Sequence, residues 1–207
     1  MTDRPAPRIS SRRKPKQARS TELVNAILQA AIQVLAREGA PRFTTTRVAE
    51  RAGVSVGSVY QYFPNKAAIL FRLQSEEWQQ TSALLETILR DQAIPPLVRL
   101  RRLVHAFVRS ECEEAAVRMA LSDAAPIYRD APEAVAARAA GTHMFRDFVD
   151  EVLINATLAE RTLAGDLLLA TLTEVGREFS ETPRTGEEIS RYADALADML
   201  CAYLARF

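Results

Sequence analysis

Three features of the sequence predict an all-α fold. Glycine is scarce, with 7 in 207 residues. Residues 65–94 and 133–182 contain no proline, so two long stretches lack the strongest helix breaker. Apolar residues recur there at three- and four-residue spacing, and no run alternates apolar with polar as a half-buried strand does. The composition, 48% hydrophobic and 26% charged, excludes a chain that is disordered throughout. No stretch reaches about 18 consecutive apolar residues, so a membrane span is not expected. The basic start is followed by no apolar run, so a secretory signal is not expected. Cys112 and Cys201 are isolated and far apart, which suits a reduced, cytoplasmic chain.

The elements follow in order. Residues 1–19 hold three prolines and seven basic residues and are expected to form a flexible arm. Ser20 or Thr21 caps a first helix in which Leu23, Ile27, Ala30, Ala31, Val34 and Leu35 share a face. Gly39 stops it and Pro41 prevents its continuation. Thr45 starts a short helix ended by Gly53, and Ser55 caps a third that Pro64 breaks. Asn65 caps a fourth, from Lys66 to about Arg90. Pro95 and Pro96 open a helix reaching Ser110, and another spans Glu111 to Leu121. Residues 122–132 read as a connection, and helices follow at 133–155, 158–181 and 187–206, giving nine.

Net charge is only +1, yet it is divided. Residues 1–66 carry twelve Lys or Arg against four acids, and residues 67–207 carry fifteen Arg against 22 acids. Such a division suggests two tasks, one involving a polyanion. The segment from Thr45 to Phe63 specifies the first task. Two short helices crossing steeply need a small residue at the crossing (Ala49), a glycine in the turn (Gly53), and apolar residues facing inward (Val48, Val54, Val59). These conditions together define a helix-turn-helix, whose second helix enters the DNA major groove by its N-terminal end. Ser55 and Ser58 offer hydroxyls to phosphate or base, and Gly57 lets the backbone approach a phosphate. Val56 suits a thymine methyl and Gln61 a base edge. Tyr60 and Tyr62 carry hydroxyls for phosphates, Thr45 and Arg47 grip the backbone from the preceding helix, and Lys66 adds an ammonium. Phe63 reads more simply as a core aromatic, and Tyr62 reads equally well as core or contact.

The first helix up to Gly39, then Thr45, Val48, Ala49, the run AGVSVGSVYQYF at 52–63, and Lys66 closely resemble the TetR family of bacterial transcriptional regulators. The resemblance covers residues 20–70. It implies a homodimeric regulator, usually a repressor, in which three N-terminal helices bind a palindromic operator on double-stranded DNA. A divergent C-terminal domain then binds a small molecule. By family position Thr45, Ser55, Gly57, Tyr60, Tyr62 and Lys66 match DNA-contacting sites. Val56 departs from the polar or basic residue often found there, and Gln61 occupies a variable position that helps set operator specificity. The implied organisation is an arm at 1–19, a DNA-binding domain at 20–66, and an effector-binding and dimerisation domain at 67–207.

The acidic remainder is read from its own residues. Helix 158–181 carries two apolar stripes, Leu168, Leu172, Val175 and Phe179 on one and Leu163, Leu167 and Ala170 on the other. The last helix has a broad apolar face including Tyr192, Leu196, Met199 and Tyr203. A helix with more than one stripe needs two neighbours, so these two are expected to pair with their mates across a two-fold axis. Trp78, Phe107, Met119, Tyr128, Met144, Phe145 and Phe148 are candidate walls of an effector pocket, with His105 as its polar group, although for each an ordinary core is the simpler reading. No metal-ligand cluster, cofactor motif, nucleophile elbow or phosphate-binding glycine loop is present, so no cofactor, metal or enzyme activity is expected. The expected function is a DNA-binding repressor released by an unidentified small-molecule effector. The alternative is a DNA-binding regulator controlled by a partner protein.

Overall fold

The computed structural model describes residues 7–11, 18–140 and 143–207, and every regular element among them is helical. The elements are α1 (Ala18–Arg42), α2 (Thr45–Ala52), α3 (Val56–Tyr62), α4 (Lys66–Leu89), α5 (Pro96–Glu113), α6 (Ala115–Ala124), α7 (Pro132–Ala140), α8 (His143–Val152), α9 (Leu158–Ser180) and α10 (Gly186–Leu204). A single 3₁₀ turn at Ala125–Ile127 follows α6. The expected stop at Gly39 is a kink, with Gly39 at φ 73° and the helix resuming through Pro41 to Arg42. Of the helix expected over 133–155, the described residues form α7 and α8, and Gly141 and Thr142 lie outside the described residues. The break expected at Ser110 falls instead at Glu114, where no glycine or proline marks it.

The chain divides into two compact units. The first takes in residues up to Glu77 together with Ala116–Arg138, and the second Trp78–Ala115 together with Ala139–Phe207. The first unit therefore extends beyond residues 20–66. Its core joins Ile27, Ala31 and Leu35 of α1, Val48 of α2, Val59 of α3, and Ile69 and Leu70 of α4. Phe43 and Phe63 fill the connections between these helices. Leu121, Ala124 and Tyr128 complete it. Tyr128 packs against Phe71 with ring centroids 6.0 Å apart, and its hydroxyl donates to the Leu121 carbonyl at 3.2 Å. Burial, reinforced by the charge of Glu77, pushes this hydroxyl well above its ordinary pKa, so it stays a neutral donor. Arg118 pairs with Glu77 at 2.9 Å, and both side chains are largely buried.

Residues 7–11 do not stand apart as the arm reading requires. Ile9 is 1% exposed and belongs to the core of the first unit, while the other arm positions fall mainly outside the described residues.

In the second unit α5 is central. Leu100, Leu103, Val104 and Val108 meet Leu168 and Leu172 of α9, and Ala193, Ala197 and Leu200 of α10. Phe145, Phe148 and Val149 of α8 close the same core. The last two helices each open with a capping box that the spacing T-x-x-E announces: Thr157 with Glu160, and Thr185 with Glu188. Hydrogen bonds from each threonine's backbone and hydroxyl hold the paired glutamate below the usual carboxylate range.

Two glycines of α9 differ in what surrounds them. A Cβ at Gly176 would stand 2.7 Å from Phe107 Cε1 and 3.2 Å from Glu111 Cγ, whereas one at Gly165 would meet nothing within 4 Å. Gly176→Ala is expected to destabilise the protein by about 1–3 kcal/mol through overpacking. Gly165→Ala is expected to stabilise it by up to about 1 kcal/mol through helix propensity. Thermal melts of the two variants check the opposite signs.

Candidate nucleic-acid interface

The interface is built on one turn. Gly53 lies at φ 68°, ψ 30°, the left-handed region that a side chain disfavours. Its N–H and that of Val54 return to carbonyls of α2, the second to Ala49 at 3.0 Å. This closes α2 and lets the chain reverse before Ser55. A Cβ at Gly53 would meet nothing within 4 Å, so backbone conformation alone calls for glycine.

Side-chain oxygens then start each helix. α2 starts at Thr45 as expected, and Thr44 caps it, accepting from the Arg47 N–H at 3.2 Å. Ser55 caps α3, accepting from the Ser58 N–H at 3.0 Å, with its Oγ 2.9 Å from that of Ser58. Thr45, the first residue of α2, points its Oγ1 at the Tyr60 hydroxyl, 3.2 Å away. That bond ties the first turn of α2 to the middle of α3. Val48 and Ala49 are buried beneath α2, and Val59 and Phe63 beneath α3.

Ser55, Gly57, Tyr60, Gln61 and Arg47 are exposed, and Thr45, Ser58 and Lys66 half-buried. They lie on or at the ends of three consecutive helices, α2, α3 and α4. Val56 and Tyr62 are half-buried and pack against the core, so each contributes to the support of α3. Arg47 forms an ion pair with Glu38. Arg51 Nε donates to Gln33 Oε1 at 2.6 Å, a second tie from α2 back to α1. At Gly57 the backbone is ordinary, and an added Cβ would lie 3.6 Å from Ser55 Oγ, a normal contact. The chain's own packing therefore does not require a glycine there.

The second unit contains a cleft of ≈ 560 Å³ lined by Ser82, Glu86, Leu89, Arg90, Gln92, His143, Met144, Asp147, Phe148 and Glu151. Among the proposed effector contacts, Met144 and Phe148 line it. The others are placed elsewhere. Phe107 and Phe145 are buried in the second core, Phe107 against the bare backbone at Gly176. Tyr128 belongs to the core of the first unit, and Met119, in the same unit, is exposed. Trp78 is half-buried and does not line the cleft. His105, read as the pocket's polar group, pairs with Asp194 at 3.0 Å near the surface, because α5 turns that edge toward α10.

One wall of the cleft depends on an arginine that sequence reading missed. Arg99 is 1% exposed. Its guanidinium donates to the Leu89 carbonyl at the end of α4 and, through both terminal nitrogens, to Glu151. It also lies over the Phe148 ring, 5.6 Å from the centroid. No signal in the sequence distinguishes Arg99 from its solvated neighbours Arg101 and Arg102.

The expected bundle residues also divide. Leu163, Leu167 and Ala170 on α9, and Met199 on α10, are exposed. Leu196 is buried within the subunit core. Tyr192 stacks on Phe179 at 3.8 Å, and Tyr203 meets Phe207 edge-on at 5.7 Å. Among the described residues no group of His, Cys, Asp or Glu is placed to hold a metal ion, and no helix is long and apolar enough to cross a membrane.

Two short helices crossing at a left-handed glycine, with the hydroxyl-bearing end of the second exposed, define a helix-turn-helix DNA-binding protein joined to a separate helical unit. Comparison with known proteins narrows this class. Residues 27–73 match the family model described as bacterial regulatory proteins, tetR family. Residues 95–207 match that of the tetracyclin repressor-like C-terminal domain. The chain belongs to the TetR family of DNA-binding transcription regulators, whose members are non-enzymatic and act as dimers. It is 34% identical over 67 residues to a fatty acid metabolism regulator protein of Bacillus subtilis, and 36% identical over 80 residues to the nucleoid occlusion factor SlmA of Vibrio campbellii. These matches take in 32% and 38% of this chain, and 34% and 40% of the two relatives, so the chain spans well under half their length. The fold resembles that of the fatty acid degradation regulator FadR from Bacillus halodurans, with a TM-score of 0.70 at 19% identity over 91% of this chain and 97% of that one.

Gly53→Ala is expected to cost about 1 kcal/mol, because alanine pays the left-handed penalty without any clash. Gly53→Asn should cost less, since asparagine tolerates that region. Chemical denaturation of the two variants measures the difference, and equal losses would place the requirement in packing.

Proposed function

We propose that the chain is a repressor that binds a palindromic operator as a homodimer and leaves it when a small molecule occupies the cleft of the second unit. The observation that carries the DNA half is the exposed tip of α3, where Ser55, Gly57 and Tyr60 face outward although nothing in the protein's own packing requires a glycine at 57. A bare backbone beside hydroxyl donors suits close approach to a phosphate. Gln61, one turn further and exposed, is suited to a bidentate contact with adenine. Thr45 and Tyr60 hold each other in place, which lowers the entropy lost when both meet DNA.

The homodimer reading is supported by apolar surface left open on α9. Leu163 and Leu167 are 56% and 43% exposed, and Ala170 continues the same stripe. Met199 of α10, 53% exposed, extends the apolar surface available to a second copy. Two copies related by a two-fold axis would address two half-sites about 34 Å apart, or a multiple of that distance.

The effector reading is supported by the lining of the cleft. Leu89, Met144 and Phe148 offer an apolar surface, and Glu86, Arg90, His143 and Asp147 offer polar and charged groups. Ser82, Glu86 and Leu89 lie on α4, the helix that begins at Lys66. A ligand that prefers one setting of α4 lowers operator affinity by the ratio of its affinities for the two settings.

Footprinting on the DNA upstream of the chain's own gene tests the proposal, with protection of an inverted repeat as the expected result. Small molecules that occupy the cleft should release it. Tyr60→Ala should weaken operator binding roughly tenfold or more with helicity unchanged, and unaltered binding would remove Tyr60 from the interface. Leu167→Glu should shift the protein toward monomer in sedimentation and weaken operator binding by a similar factor, as the loss of a two-fold partner requires. A persistent dimer would move the interface off this stripe.

A further inference from the structure

The segment before α1 carries an anchor in an otherwise basic stretch. Ile9 is 1% exposed within the first unit's core, while Arg8 beside it is exposed. The Arg8 carbonyl accepts from Asn65 Nδ2 at 3.0 Å, and the other end of that amide, Oδ1, accepts from the Ala68 N–H at 2.9 Å. Asn65 thus performs two tasks with one side chain. It caps α4 and clamps the main chain of residue 8. The clamp sets Arg8 next to Asn65–Lys66, directly after the recognition helix α3 and its connection.

Burying isoleucine removes a large apolar side chain from water, which offsets the entropy of ordering residues 8–10. Among the described residues Arg8 has no acidic partner. A cation held at a fixed point beside a DNA-binding helix adds a phosphate contact at lower entropic cost than one on a free chain.

We infer that Arg8 is an additional phosphate-binding residue of the DNA interface, and that Ile9 and Asn65 are its positioning residues. The inference rests on the DNA-binding assignment but not on the operator, because phosphate contacts are independent of sequence.

The test uses the full chain and a fluorescein-labelled duplex of mixed sequence, with anisotropy followed from about 50 to 200 mM KCl. Arg8→Ala should weaken binding several-fold at low salt and reduce the salt slope by about one contact per chain, while Arg8→Lys keeps the slope. Asn65→Ser retains a capping oxygen for α4 but removes the clamp, so it should reproduce the Arg8→Ala loss. The two losses should not add when combined. Ile9→Ser should act in the same way wherever circular dichroism shows the fold retained, and the Arg8 and Asn65 variants decide the matter if it is not. An unchanged slope in Arg8→Ala, or an undiminished Asn65→Ser effect in the Arg8→Ala background, would overturn the inference. Failure of the parent protein to bind the duplex at all would instead overturn the DNA-binding assignment beneath it.

Discussion

The DNA-binding unit depends on a single backbone conformation. With Gly53 left-handed, α2 ends in closed hydrogen bonds and α3 begins three residues later, at Val56, under the Ser55 cap. The angle between the two helices follows from that reversal, and so does the burial of Ala49 and Val59 at their crossing. Everything exposed on α3 inherits its direction from this turn. A residue that resisted the left-handed region would unwind the last turn of α2 or delay the start of α3, and either shift would turn Tyr60 away from Thr45.

The residues of the proposed interface also stabilise one another within the protein itself. Ser55 is at once a cap and an exposed hydroxyl, and Thr45 shares a hydrogen bond with Tyr60. In the proposed interface, structural and recognition roles therefore overlap in the same side chains. The economy has a physical basis: short hydroxyl side chains satisfy orphan amides at a helix start while leaving an oxygen lone pair or proton for an external partner. Asn65 extends the pattern to α4, where a single amide caps the helix and holds the Arg8 main chain.

In the second unit, one buried cation organises one end of the core. Arg99 satisfies the Leu89 carbonyl, which the end of α4 leaves without a helical partner, and meets Glu151 from α8. Its burial is tolerated because those partners and the face of Phe148 replace water. The aromatic residues near it sort by geometry rather than by type. Phe148 borders the cleft, whereas Phe145, three residues earlier on α8, does not line it.

The sequence by itself determined the helical class, the turn at Gly53, the caps at Ser55 and Asn65 and the exposure of Gly57, Tyr60 and Gln61, but not the half-burial of Val56. These are local consequences of backbone sterics and of spacing within a few positions. It also carried the capping boxes at Thr157 and Thr185. What only the tertiary structure decided was how distant segments share surfaces. Ile9 sits in a basic stretch and reads as part of a solvated arm until a core receives it. Arg99 reads as a surface charge until Leu89 and Glu151 surround it. Residues 116–138 pack with the N-terminal unit because Leu121, Ala124 and Tyr128 complete its core, and periodicity along one helix does not specify which neighbour covers its apolar face. Leu196 and Leu167 both lie on apolar stripes, yet one is buried inside the subunit and the other is exposed. Leu196 is covered because α10 packs on α5, a contact between residues nearly a hundred positions apart.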